Sequence, residues 1–182
     1  MASTEALRTA HDDASIRENG GSQFLSFILA GEHYGIDILR VQEIKGWTAV
    51  TRVPRAPAFM KGVLNLRGTV VPIVDMRIRF SLEEVEYTAL TVVIVLSVKS
   101  ENRERMVGIV VDAVSDVLNV AKDEIKETPD FGTVVDTEFI HGLATMNDKM
   151  VMLLDVDHLL DMDCIPSDIS VHKETATEVD DN

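Results

Sequence analysis

A mainly β fold, two small barrels related by pseudo-symmetry with a few short helices, is predicted by three features of this 182-residue sequence. Short apolar runs come in pairs separated by turn residues, helical periodicity is scarce, and the chain repeats its own landmarks. Phe24, Leu25, Phe27, Ile28 and Leu29 precede Gly31-Glu32-His33, after which Tyr34, Ile36 and Ile38 alternate with Gly35 and Asp37, a hairpin pattern. Residues 63–66 and 69–74 flank Arg67-Gly68, a two-residue turn with glycine where positive φ is needed. Residues 90–98 and 106–111 flank the polar Ser100-Glu101-Asn102-Arg103, a third hairpin, and residues 149–156 form a further strand. Helical signals are limited to a turn or two in residues 56–61 and 81–86 and an amphipathic stretch at 156–160. Pro54, Pro57 and Pro72 suit turns and edge strands, since each fixes φ and lacks a donor.

The repeat is read from four landmarks in one order. Gly35-Ile36 is followed by Val41 and then Glu43-Ile44; Gly108-Ile109 is followed by Val114 and then Asp116-Val117. Phe59 stands three residues before Gly62, as Phe139 does before Gly142, and an aspartate, Asp75 or Asp155, follows thirteen residues after each glycine. A duplicated small unit has a face to bury against its copy, and the groove between the two is the expected binding site.

Composition narrows the function. Net charge is −14 with a sequence pI near 4.6, which argues against nucleic-acid binding as the main role, because phosphate contacts need clustered Lys and Arg. The nine aromatic residues do not interleave with the basic ones in a base-stacking pattern. Residues 40–79 nonetheless carry eight basic against two acidic residues, whereas residues 80–164 carry 18 acidic against six basic, a polarity able to orient partners. The one cysteine, Cys164, excludes an internal disulfide and reads as an apolar filler. Residues 1–22 lack the apolar stretch of a signal peptide, and the most apolar window, residues 90–98, is about half a membrane span, so a soluble intracellular protein is expected. Residues 1–22 and the acidic 165–182 read as solvated tails around a folded domain at 23–164.

No catalytic, cofactor or metal motif is found. Gly62 to Gly68 has the wrong spacing for a phosphate loop, and the five histidines form no ligand pair. Asp155, Asp157, Asp161 and Asp163 suggest a cation string, but a calcium loop begun at Asp155 would place Leu160 at its glycine position and Pro166 at its glutamate. A solvated acidic helix face is the reading preferred. A ligand- or oligonucleotide-binding barrel and a hydrolase using paired carboxylates are the alternatives from other classes; saturable salt-dependent binding or turnover would reveal them.

The most informative stretch is Val53-Pro54-Arg55-Ala56-Pro57-Ala58-Phe59-Met60-Lys61-Gly62-Val63-Leu64-Asn65-Leu66-Arg67-Gly68, followed by Val70-Val71-Pro72-Ile73-Val74-Asp75-Met76-Arg77. With Ile38 to Ile44 before it, Val107 to Val117 after it, and Phe139-Ile140-His141-Gly142-Leu143 near the end, it strongly resembles the CheW family of bacterial chemotaxis coupling proteins over about residues 23–160. The resemblance implies two intertwined SH3-like five-stranded β-barrel subdomains and a non-catalytic cytoplasmic adaptor at membrane-associated chemoreceptor arrays. Its implied partners are the regulatory domain of the histidine kinase CheA and the cytoplasmic tips of methyl-accepting chemoreceptors, with no nucleic acid and no membrane insertion. CheV-like chains add a receiver domain, which is not expected after so short a carboxy-terminal stretch, and CheA is excluded by length and missing kinase motifs. Receptor-facing positions implied by the match are Val41, Glu43, Ile44, Asn65, Arg67, Gly68, Val92, Val114 and Val117; the kinase-contacting residues are unassigned. Arg67 offers a planar fork of donors at a turn, Val41 apolar contact and Glu43 a polar bond, while Gly62 and Gly68 serve the backbone.

Overall fold

The computed structural model describes residues 20–101, 103–129 and 138–160. Ten strands form two five-stranded sheets. The strands are β1 (Ser22–Leu29), β2 (Glu32–Asp37), β3 (Val41–Gly46), β4 (Met60–Leu66), β5 (Thr69–Asp75), β6 (Val92–Ser100), β7 (Arg103–Val111), β8 (Ala113–Val120), β9 (Ile140–Met146) and β10 (Lys149–Leu154). The first sheet has the order β8-β1-β2-β10-β9 and the second β3-β6-β7-β5-β4. Each sheet therefore takes a hairpin from one half of the sequence and three strands from the other.

The sequence repeat is a repeat of pairing. Gly35 lies opposite Leu153 and Gly108 opposite Ile73 in the two parallel ladders, and a Cβ on either glycine would sit 2.9 or 2.5 Å from that partner's side chain. Asp75 N–H donates to Phe59 O and Asp155 N–H to Phe139 O. Asp75 accepts from the N–H groups of Arg77 and Ile78, opening a one-turn helix (Met76–Arg79); Asp155 does the same for Asp157 and His158 at the helix Val156–Leu160.

Burial of both faces explains the long apolar runs. In β6, Val93 and Val95 join Val71, Ile73 and Val110 in a core confined to the second sheet, while Ile94, Leu96 and Val98 turn the other way. Phe24, Val120, Ala144, Val151 and Leu153 make the matching core of the first sheet. Between the sheets lies the largest core, where Leu25, Phe27, Leu29 and Ile36 meet Ile94, Leu96, Val107 and Ile109. A ladder of rings, Phe27 to Tyr34 to Phe80 to Phe139 at centroid spacings of 5.5, 5.7 and 5.1 Å, crosses that interface.

Three expectations need amendment. Neither sheet closes into a full barrel: the outer side of β4 is bridged to Thr51 at Val63, and that of β9 to Lys126 at Leu143, with no further strand pairing there among the described residues. Residues 81–86 are not helical, because the chain is drawn off by Leu82 N–H to Arg77 O and by the Arg77 guanidinium on Glu83 O; residues 56–61 form turns leading into β4. Pro72 lies in an interior strand rather than at an edge. It is tolerated because the ladder of β5 with β7 begins one residue later, at Ile73, so no donor is missed there. Cys164, Asp161, Asp163, residues 1–19 and residues 165–182 fall outside the described residues, while Ser22, the last residue of the expected amino-terminal tail, already pairs with Val120 as the start of β1.

Candidate partner-binding edges

The turn joining β4 to β5 is built by its own residues. Leu66 pairs with Thr69, leaving Arg67 and Gly68 as a two-residue loop with φ of 52° and 88°. Asn65 Oδ1 accepts the Gly68 N–H at 2.8 Å and staples the loop shut. Nothing lies within 4 Å of a Cβ placed on Gly68, so its conformation and not crowding calls for glycine. Arg67 holds the left-handed conformation without being glycine, a modest local strain.

The turn is aimed at the opposite edge of its sheet. Arg67 Nη2–H donates to Glu43 Oε2 on β3 at 2.6 Å, so the two edge strands β3 and β4 approach at this end. The Arg67 side chain is 82% exposed, and an ion pair this open contributes well under about 1 kcal/mol. The guanidinium can therefore exchange Glu43 for an acceptor on another molecule at little cost.

The apolar positions divide by depth. Val41, Val92 and Val114 are half-buried against the central core, with Val92 opposite Gly46 at the end of β3. Ile44 and Val117 are 44% and 49% exposed. They occupy matching places in the repeat, one on β3 at the edge of the second sheet and one on β8 at the edge of the first. Both strands are bulged at the same point, between Val41 and Glu43 in one and opposite Leu25 to Phe27 in the other. The structure thus joins Val41, Glu43, Ile44, Asn65, Arg67, Gly68 and Val92 on one sheet, and sets Val114 and Val117 on the second edge. At that second edge Asp116 stands where Glu43 stands in the first, and Asn147-Asp148 replaces Arg67-Gly68, so the cross-edge ion pair is not repeated.

The ionisable groups serve architecture. Burial opposes the charge on Asp112, but Arg77 Nε–H and Nη2–H at 2.8 and 2.6 Å and the Ala30 N–H at 2.8 Å outweigh it and hold the carboxyl below its ordinary range. The same bonds push the Arg77 guanidinium higher still. Burial likewise opposes the charge on Asp155, where the bonds from His158 and from the Asp157 N–H win and lower its pKa, while Asp155 raises that of the exposed His158. Tyr87 is pushed far above a normal phenol, first by burial and then by its bond to Asp75. The acidic string at 155–157 is committed to helix capping and to an ion pair with Arg40, and among the described residues no group of three potential ligands gathers around a cation site.

A model of the CheW-like domain matches residues 23–164. The chain belongs to the CheW-like family. The chemotaxis protein CheW of Klebsiella aerogenes is 48% identical over 143 residues, covering 79% of this chain and 84% of that one. CheW of Rhizobium meliloti is 40% identical over 139 residues, covering 76% and 87%. The crystal structure of scaffolding protein TtCheW from Thermoanaerobacter tengcongensis matches with a TM-score of 0.69 at 30% identity, covering 78% of this chain and 94% of that one. Membership in the CheW-like family places the chain among chemotaxis adaptors. Among the described residues no helix is long and apolar enough to cross a membrane.

The sequence reading missed the half-buried pairs Arg40–Asp157 and Arg77–Asp112. Their only sequence signal is the aspartate that ends each repeat, because a residue two places beyond a capping aspartate sits in the first turn of the helix, where it reaches back to the strands.

Proposed function

We propose that this protein is a non-catalytic adaptor that joins the regulatory domain of the histidine kinase CheA to chemoreceptor cytoplasmic tips, so that receptor state controls kinase autophosphorylation. The observation that carries the reading is the edge made by β3 and the Arg67 turn. It combines an exposed Ile44, a half-buried Val41, and an arginine held by an ion pair cheap enough to exchange. A receptor tip supplying an apolar helix face and carboxylate or carbonyl acceptors fits it, with Val92 beside the strand and Asn65 and Gly68 shaping the turn rather than touching the partner. Val114 and Val117 extend the receptor surface to the second edge. Coupling then requires each partner to favour one arrangement of the adaptor over another. The folded domain at 23–164 carries these contacts in the cytoplasm beneath the membrane, and the tails are dispensable.

Separate titrations of the full chain with a soluble receptor hairpin tip and with the kinase regulatory domain test the reading. Saturable binding to both is expected. Binding to neither, by a protein with a cooperative thermal transition, contradicts it.

A further inference from the structure

The chain passes between the two sheets twice, from β2 to β3 and from β7 to β8, and each crossing is held by an ion pair to a short helix. At the first crossing Arg40 Nη2–H donates to Asp157 Oδ2 and its Nη1–H to Ser97 O at 3.3 Å, while Asp157 Oδ1 accepts the Lys99 N–H at 2.7 Å. At the second crossing Asp112 takes two bonds from Arg77 and one from the Ala30 N–H. Asp157 and Arg77 occupy equivalent places, two residues after the capping aspartates Asp155 and Asp75. The bond is therefore present in both halves with its charges exchanged: the helix carries the acid in one and the base in the other. All four side chains are partly buried, with exposures of 23% and 28% in the first pair and 15% and 25% in the second, so solvent screens them less than the open Arg67–Glu43 pair.

We infer that Arg40 and Asp157 are positioning residues for the β3 edge, which they hold in place from the helix of the opposite half. The inference rests on the receptor-facing role proposed for that edge. β3 has a single sheet neighbour, β6, and its ladder is irregular between Val41 and Glu43, at the end where the partner-facing residues begin. Arg40 immediately precedes Val41. Through Ser97 and Lys99 the clamp ties this start to β6, and through Asp157 to the helix that follows β10. A shift at Asp157 thus moves the partner edge of the other sheet, a link between the two halves of the molecule.

A double-mutant cycle on the full chain tests this, using Arg40→Met, Asp157→Asn and the two combined. Asparagine keeps an oxygen for the Lys99 N–H, so only the clamp is lost. Three quantities are measured: affinity for a soluble receptor tip, amide hydrogen exchange, and the thermal midpoint. Each single variant is expected to weaken tip binding about five- to tenfold, and the double variant no further, because one coupled pair is being broken. Exchange is expected to accelerate in β3 and not in β8. Unchanged binding, additive losses, or equal acceleration in both strands would overturn the inference. If the wild-type chain itself does not bind the tip, the receptor reading fails, and the exchange of β3 against β8 alone decides the clamp.

Discussion

At residue scale, two positions show how narrowly the partner edge is specified. A Cβ on Gly62 would lie 2.2 Å from the Thr51 carbonyl oxygen, at a φ of 149° that side chains avoid. Gly62→Ala is expected to cost about 2–4 kcal/mol, through strain and loss of the Thr51 bridge, measured as a drop in urea midpoint at constant m-value. Arg67→Glu is the opposite case. It alters an exposed turn, places two carboxylates face to face at Glu43, and is expected to abolish receptor-dependent kinase activation while leaving circular dichroism and the thermal midpoint close to wild type. Normal coupling by that variant would remove Arg67 from the account. The turn itself was legible in the sequence, because Arg67-Gly68 between apolar runs has few other uses. The Arg67–Glu43 bond was not, since nothing local says that β3 and β4 are opposite edges of one sheet. Asn65, expected as a partner contact from the resemblance, has the further task of closing the turn through its Oδ1, which local sequence alone does not reveal.

At the scale of elements, the two crossings explain why ten strands with continuous apolar runs fold to one register. Hairpins β1–β2, β4–β5 and β6–β7 were readable from their turn residues. The placement of β3 and β8 was not, because the bulge in each breaks the alternation of apolar residues along the sequence, Val41 and Ile44 standing three apart as do Val114 and Val117. The short helix Met76–Arg79 was hidden by its length, one turn being too short for periodicity to register. The second crossing carries a pH signature. The Asp112 carboxyl is depressed in the fold, so its contribution is fully present above the unfolded carboxylate pKa and lost as pH falls through the lower folded value. Thermal midpoints between pH 6 and pH 3 should therefore fall more steeply for the wild type than for Asp112→Asn, which is less stable at pH 6 and converges on the wild type in acid. Parallel curves would show that Arg77 contributes nothing through this carboxyl.

For the whole molecule, the duplicated landmarks correctly foretold two related sheets, and the structure adds that each is assembled from both halves. That exchange cannot be read from landmark order, because the same repeat could fold as two separate units. The basic stretch 40–79 also proves less free than its composition suggests. Arg40, Arg67 and Arg77 are ion-paired within the chain, and Lys61 and Arg79 lie over the rings of Tyr87 and Phe59, whereas Arg52 and Arg55 are exposed and make no ion pair or ring contact among the described residues. Steering by this region therefore rests on fewer charges than the count implies. Trimming residues 1–22 and 165–182 is expected to leave kinase activation within about twofold of the full chain, since the family match begins at residue 23 and ends at 164. The central claim is that this adaptor couples two partners, and one measurement addresses it directly: kinase autophosphorylation in membranes containing a chemoreceptor, with and without the protein, and with attractant added. Strong activation that attractant reverses is the predicted result. Activation no greater than with the kinase and receptor alone, where another CheW restores it and this chain binds both partners, would contradict the account.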